Sequence, residues 1–99
     1  MAIILSEEAS NAIKKIRKSF DKYADKGWMC EGGEHQRGDG SWLPCNVIFN
    51  NDTDEFFRAD YNGNILYNGL VSTSIEDAQD MAKIQGKIRE ALNNYGRHF

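Results

Sequence analysis

Apolar residues recur at Ala9, Ala12, Ile13, Ile16, Phe20, Tyr23 and Ala24, in steps of three and four that align them as one stripe of a helix. Lys14, Lys15, Arg17, Lys18, Lys22 and Lys26 fall mostly off that stripe. Ser6 stands before it as an N-cap, and Glu7 and Glu8 suit the positive end of a helix dipole. Gly27 is a natural stop. One helix over residues 6–26 is therefore expected. Residues 27–41 carry neither the helical nor the strand period, and five of these fifteen residues are glycine. That stretch reads as a long irregular loop, of the kind that tends to be mobile or functional.

Alternation returns in residues 42–49, where Cys45, Val47 and Phe49 share a face. Pro44, the only proline, belongs near the start of this strand or at an exposed edge, because it donates no ladder hydrogen bond. Asn50-Asn51-Asp52-Thr53-Asp54 has the composition of a turn. Two further strands, 55–60 and 64–71, flank Tyr61-Asn62-Gly63. Asp60 and Gly63 suit a type I turn followed by a left-handed glycine. That three-residue loop sets Ala59 opposite Ile65 and Phe57 opposite Tyr67, all on one face. A shorter Asn62-Gly63 loop would set Phe57 opposite Asn68 and group the apolar side chains less well.

A second long helix is expected over residues 74–95. Thr73 and Glu76 have capping-box spacing. Ala78, Met81, Ala82, Ile84, Ile88, Ala91, Leu92 and Tyr95 form its apolar face, and Gly96 suits its end. Gln79, Lys83, Gly86, Glu90 and Asn93 lie opposite. A glycine in mid-helix costs up to ~1 kcal/mol against alanine, so Gly86, on the exposed face, is either simply tolerated there or permits close approach of a partner. The elements together predict one α+β domain over residues 1–99. It has an N-terminal helix, a three-stranded antiparallel β-meander and a C-terminal helix, in two layers with both helices on one face of the sheet.

The helix–strand–strand–strand–helix order is similar to that of the double-stranded RNA-binding domain, a resemblance that implies weak duplex-RNA binding by topology. The RNA contacts of that family depend on a basic cluster opening the last helix. Here the position reads Ser74-Ile75-Glu76-Asp77-Ala78-Gln79-Asp80, and carboxylates there repel phosphates. No RNA-binding residue is carried over, and no direct nucleic-acid contact is expected. Several small phage-encoded inhibitors are also similar in size and architecture.

Composition narrows the class. An aromatic content of 11% and a net charge of −3 argue against disorder. No apolar run approaches the ~18–20 residues of a membrane helix. Met1-Ala2-Ile3-Ile4-Leu5 lacks the basic n-region of a signal peptide, so a cytoplasmic protein is expected, with Cys30 and Cys45 as thiols. The charges are unevenly spread. Residues 1–26 hold six basic and four acidic side chains, residues 27–80 two and ten, and residues 81–99 four and one. An acidic middle between basic helices steers association toward a basic protein surface, although Asp and Asn also populate turns for local hydrogen-bonding reasons.

Catalytic constellations are missing. Cys30 with His35 lacks a recognisable orienting group and oxyanion pocket, so no enzyme activity and no cofactor are expected. Cys30, His35 and Cys45, with His98, have the donor types for zinc. Their spacing matches neither a Cys-x-x-Cys pair nor a helix-borne His pair. Arg37-Gly38-Asp39 reads as a turn, Asp52, Asp54 and Glu55 lack the rest of a calcium loop, and the glycines form no phosphate loop. Trp28 and Trp42 bracket the glycine-rich stretch, either closing it onto the core or serving as interface anchors.

These features favour a small non-catalytic protein-binding module, such as a phage- or mobile-element inhibitor or an immunity protein. It would mask a basic, nucleic-acid-handling surface of a larger host partner. The expected contact set is Trp28, Glu31, Glu34, Arg37, Asp39, Trp42, Asp52, Asp54, Asp60 and Tyr61. The competing readings are a small-ligand or zinc domain built on residues 27–45 and a weak duplex-RNA binder. A homodimer through an exposed strand edge is a further option.

Overall fold

The computed structural model describes residues 7–96. The expected N-cap Ser6 and His98 lie outside the described residues, as does the side chain of Tyr95. The elements run α1 (Glu7–Lys18), α2 (Asp21–Ala24), β1 (Trp28–Gln36), β2 (Trp42–Asn50), β3 (Phe56–Ala59), β4 (Ile65–Gly69) and α3 (Ile75–Gly96). The fold is α+β, with an antiparallel sheet between an N-terminal and a C-terminal helix. The sheet has four strands in the order β1-β2-β3-β4, not three, so the element order departs from that of the double-stranded RNA-binding domain.

The extra strand is the glycine-rich stretch. β1 pairs with β2 along its whole length, from Trp28 opposite Asn50 to Gln36 opposite Trp42. Its hydrophobic pattern is faint because only its first residues meet the core. Trp28 is buried and Cys30 half-buried, while Glu31, Gly32, Glu34 and Gln36 are exposed. Beyond Cys30 the strand is an arm of a hairpin, held by backbone pairing rather than by a buried face. Its turn closes with Arg37 N donating to Ser41 O (2.7 Å) and Gly40 N to Arg37 O (2.9 Å).

The expected first helix is broken at Ser19 and Phe20. There the amides of Ser19 and Phe20 donate three residues back, to Ile16 and Arg17, at 3.0 and 2.9 Å. That is the tighter 3-10 pattern. The break escapes a periodicity argument because a tight turn preserves steps of three, so Ile13, Phe20 and Tyr23 still enter one core. The Tyr23 hydroxyl donates to Asp80 on α3, and Lys22 Nζ lies 3.4 Å from the same carboxylate. Tyr23→Phe is expected to lower stability by about 1 kcal/mol, the usual net worth of one such bond, in a urea titration.

The buried side chains of the strands, Cys45 apart, point the same way. Trp28, Ile48, Phe57 and Ala59 join Ile13, Phe20, Ala78, Met81, Ala82 and Ile88 in a single core. The helices therefore cover one face of the sheet. Trp28 and Phe57 meet edge to face at 6.0 Å. The β3–β4 turn matches expectation at Asp60–Gly63. Gly63 N donates to Asp60 O at 3.1 Å, Gly63 has φ 90°, and Ala59 faces Ile65. Past that pair a bulge lets Arg58, not Phe57, face Tyr67, and Phe57 faces Asn68. The extra residue flips the parity and turns Tyr67 to the uncovered side.

α3 begins one residue later than expected. Ser74 caps it, its hydroxyl accepting from Asp77 N at 3.2 Å. The Thr73 hydroxyl instead donates to Glu55 at 3.1 Å. Gly86 is buried, not on a wet face. It sits under the β3–β4 turn, where an added Cβ would lie 2.4 Å from the Tyr61 carbonyl oxygen.

Candidate docking face

Helices cover one side of the sheet and leave the other open. Pairing partners share a face, so the open side is read directly from the registers: Met29 and Phe49, Glu31 and Val47, Phe49 and Phe56, Arg58 and Tyr67. On β2 the polarity is inverted relative to a simple amphipathic strand. Asn46, Ile48 and Asn50 point inward, while Cys45, Val47 and Phe49 point outward. Asn46 Oδ1 accepts from Arg89 Nε at 3.1 Å, while its Nδ2 is buried without a partner among the described residues, and Asn50 Nδ2 donates to Lys26 O at 3.1 Å.

The open face is apolar where it is most exposed. Met29 is 50% exposed, Tyr67 44% and Phe56 37%. The Phe56 and Tyr67 rings stack at 5.0 Å. Val71, two residues past the end of β4, is 91% exposed. At the β2–β3 end of this face a cleft of about 330 Å³ has Val47, Phe49 and Phe56 as its apolar wall, with Glu31 and Asp54 among its lining residues. Asn51 Nδ2 donates to Met29 Sδ at 2.8 Å, tying the turn to the face.

Glu55 builds the support under Val71. Its side chain is buried at 1% exposure. One carboxylate oxygen accepts from the amides of Val71 (2.8 Å), Ser72 (3.2 Å) and Thr73 (3.1 Å). The other accepts from the Ser72 and Thr73 hydroxyls at 3.0 and 3.1 Å. Burial pushes the Glu55 carboxyl up, but these hydrogen bonds outweigh it and hold its pKa at about 2. The β4–α3 connection is thus clamped to the start of β3.

The expected contact residues do not form one patch. Glu31 and Asp54 meet at the cleft, and Asp52 is exposed in the same turn. Arg37 and Asp39 in the β1–β2 turn, with Asp60 and Tyr61 in the β3–β4 turn, lie at the opposite end of the sheet. A nine-residue strand spans about 30 Å between those ends. Asp39 and Asp60 serve their own turns. Asp39 Oδ1 accepts from Ser41 N at 2.9 Å and Ser41 Oγ at 2.6 Å, and these bonds lower its pKa. Asp60 Oδ1 accepts from Asn62 N and Asn64 N at 2.9 and 2.8 Å. Glu34 and Trp42 project from the exposed hairpin arm, Trp42 at 59% exposure. Trp28 is corrected outright: at 4% exposure it is core, not an interface anchor, because β1 begins with an inward position.

No protein-family model matches the chain, and neither a curated protein nor a solved structure matches it significantly.

The three zinc candidates also separate. Cys30 pairs with Ile48 on the helix side, whereas Cys45 and His35 point to the open side. Among the described residues no group of three His, Cys, Asp or Glu side chains is placed to hold a metal ion. Both cysteines are free, and burial pushes the Cys45 thiol up. No helix among the described residues is long and apolar enough to cross a membrane. Met29, Val47, Phe49, Phe56, Tyr67 and Val71 were not among the expected contacts. The Val47–Phe49 alternation was visible, but alternation does not say which side a sheet turns inward.

Proposed function

We propose that the chain is a non-catalytic protein-binding module that masks a basic, nucleic-acid-handling surface of a larger partner. The observation that carries this reading is the open sheet face, with exposed Met29, Phe56 and Tyr67 beside a cleft lined by Glu31 and Asp54. Aromatic and methionine side chains are enriched where interfaces bury their centre. A lysine or arginine side chain of the partner suits the cleft, its aliphatic stem on Val47, Phe49 and Phe56 and its charged head toward the carboxylates. The acidic excess of residues 27–80 adds long-range steering. An inhibitor encoded by a phage or mobile element, or an immunity protein against a toxin nuclease, would work in this way.

The test is affinity capture from the native host on the immobilised chain, with duplex DNA as competitor and two variants. The wild type should retain a nucleic-acid-handling protein and release it to excess DNA. Phe56→Ser with Tyr67→Ser should retain little of it. Glu31→Lys with Asp54→Lys should slow association about tenfold at low salt while changing dissociation less, as expected for steering charges. Equal retention by the wild type and both variants would overturn the reading.

A further inference from the structure

On the covered side of the sheet, α1, α3 and the edge strand β1 enclose a groove of about 410 Å³ whose lining includes Arg17, Phe20, Cys30, Ile88, Arg89 and Leu92. We infer that this groove binds a small carboxylic acid with an apolar body. Arg89 is the centre of the argument. It is half-buried, and its Nε donates to the fully buried Asn46 Oδ1 at 3.1 Å. Its Nη2 passes over Gly32, where an added Cβ would stand 3.2 Å away. The guanidinium is therefore held in one orientation by a core asparagine and by a strand position left bare. Among the described residues no carboxylate lies within ion-pair distance of it.

A partly desolvated cation without a counter-ion is costly, and an incoming anion relieves that cost. The guanidinium fork matches a planar carboxylate with two parallel hydrogen bonds. Phe20, Ile88 and Leu92 supply an apolar bed for the rest of the ligand, and the volume falls in the range of small-molecule sites. Arg17 adds a second positive charge and Asp21 one negative charge to the lining. That balance suits a monoanion rather than a polyphosphate. Met29 on the edge strand borders both this groove and the docking face, but Arg89, Ile88 and Leu92 belong to the groove alone and Phe56 and Tyr67 to the face alone, so variants at these residues let the two readings fail separately.

Octanoate titrated into ¹⁵N-labelled protein provides the test, with octanol and acetate as parallel arms. Octanoate should shift the amides of Cys30, Gly32 and Arg89 and slow alkylation of Cys30 by N-ethylmaleimide. Octanol, lacking the charge, and acetate, lacking the apolar body, should each bind at least about tenfold more weakly. Arg89→Gln should weaken octanoate by about tenfold or more. Arg17→Gln, which leaves the Arg89–Asn46 contact intact, should weaken octanoate by a smaller factor, and this outcome keeps the test decisive where Arg89→Gln unfolds the protein. Absence of shifts at about 10 mM octanoate would overturn the assignment. So would octanol binding as tightly as octanoate, or octanoate affinity unchanged in both arginine variants.

Discussion

Glu55→Gln is expected to destabilise the protein by about 3 kcal/mol, because a neutral carbonyl oxygen replaces the anionic acceptor of three amides and the NH2 group turns donors toward the Ser72 and Thr73 hydroxyls, which donate to the carboxylate. One carboxylate oxygen takes hydrogen bonds from the Val71, Ser72 and Thr73 amides together, so the loss of its negative charge weakens all three at once. The same carboxylate links stability to pH. Its folded pKa of about 2 lies below the ordinary 4.5. The stabilisation is therefore complete above the ordinary value and drains away as pH falls from there toward the folded value. Urea titrations should show wild-type stability declining across that window, with a shallower decline in Glu55→Gln. A loss below about 1 kcal/mol in the variant, within the range of an ordinary surface change, would show that the clamp is not structural. Because Glu55 directly precedes Phe56 and fixes the connection after β4, partner retention should weaken in the variant even where it remains folded.

Gly86→Ala should cost about 2–3 kcal/mol, against the gain of about 1 kcal/mol that helix propensity alone would give. The sign turns on one distance. An alanine Cβ would lie 2.4 Å from the Tyr61 carbonyl oxygen, closer than any real contact, and that neighbour is backbone with no rotamer to swing away. Either α3 or the β3–β4 turn must move. Amide shifts in that variant should concentrate at Tyr61, Asn62 and Gly63. Gln79→Ala, on an exposed position of the same helix, should stay within about 0.5 kcal/mol of wild type. A Gly86→Ala protein more stable than wild type would refute the close approach.

These two residues show where pattern reading runs out. The Asp60–Gly63 turn was legible because its chemistry is local: a carboxylate for nearby amides and a glycine for a left-handed φ. The stripe of α3 was legible because a long helix with one buried face repeats its signal many times. Gly86 was not, since its reason is a carbonyl 25 positions earlier in the chain. Thr73 looked like half of a capping box, but Glu55 offered its hydroxyl a buried anionic acceptor, and Ser74 took the cap.

The candidate face follows the same division. Val47 and Phe49 announce a two-sided strand, and the carboxylates of residues 27–80 announce a charged surface. Whether Val47 and Phe49 face in or out depends on which side the helices choose. Ile48, Trp28 and Phe57 settle that by packing together with Met81 and Ile88. β1 has almost no apolar signature because most of it lies past the core, and its existence rests on backbone pairing with β2. Local hydrogen bonding and helical periodicity are written in neighbouring residues and can be read there. The side of the sheet left bare, the bulge that turns Tyr67 outward and the pairing of Arg89 with Asn46 arise from contacts between distant segments, and these exist only once the layers have packed.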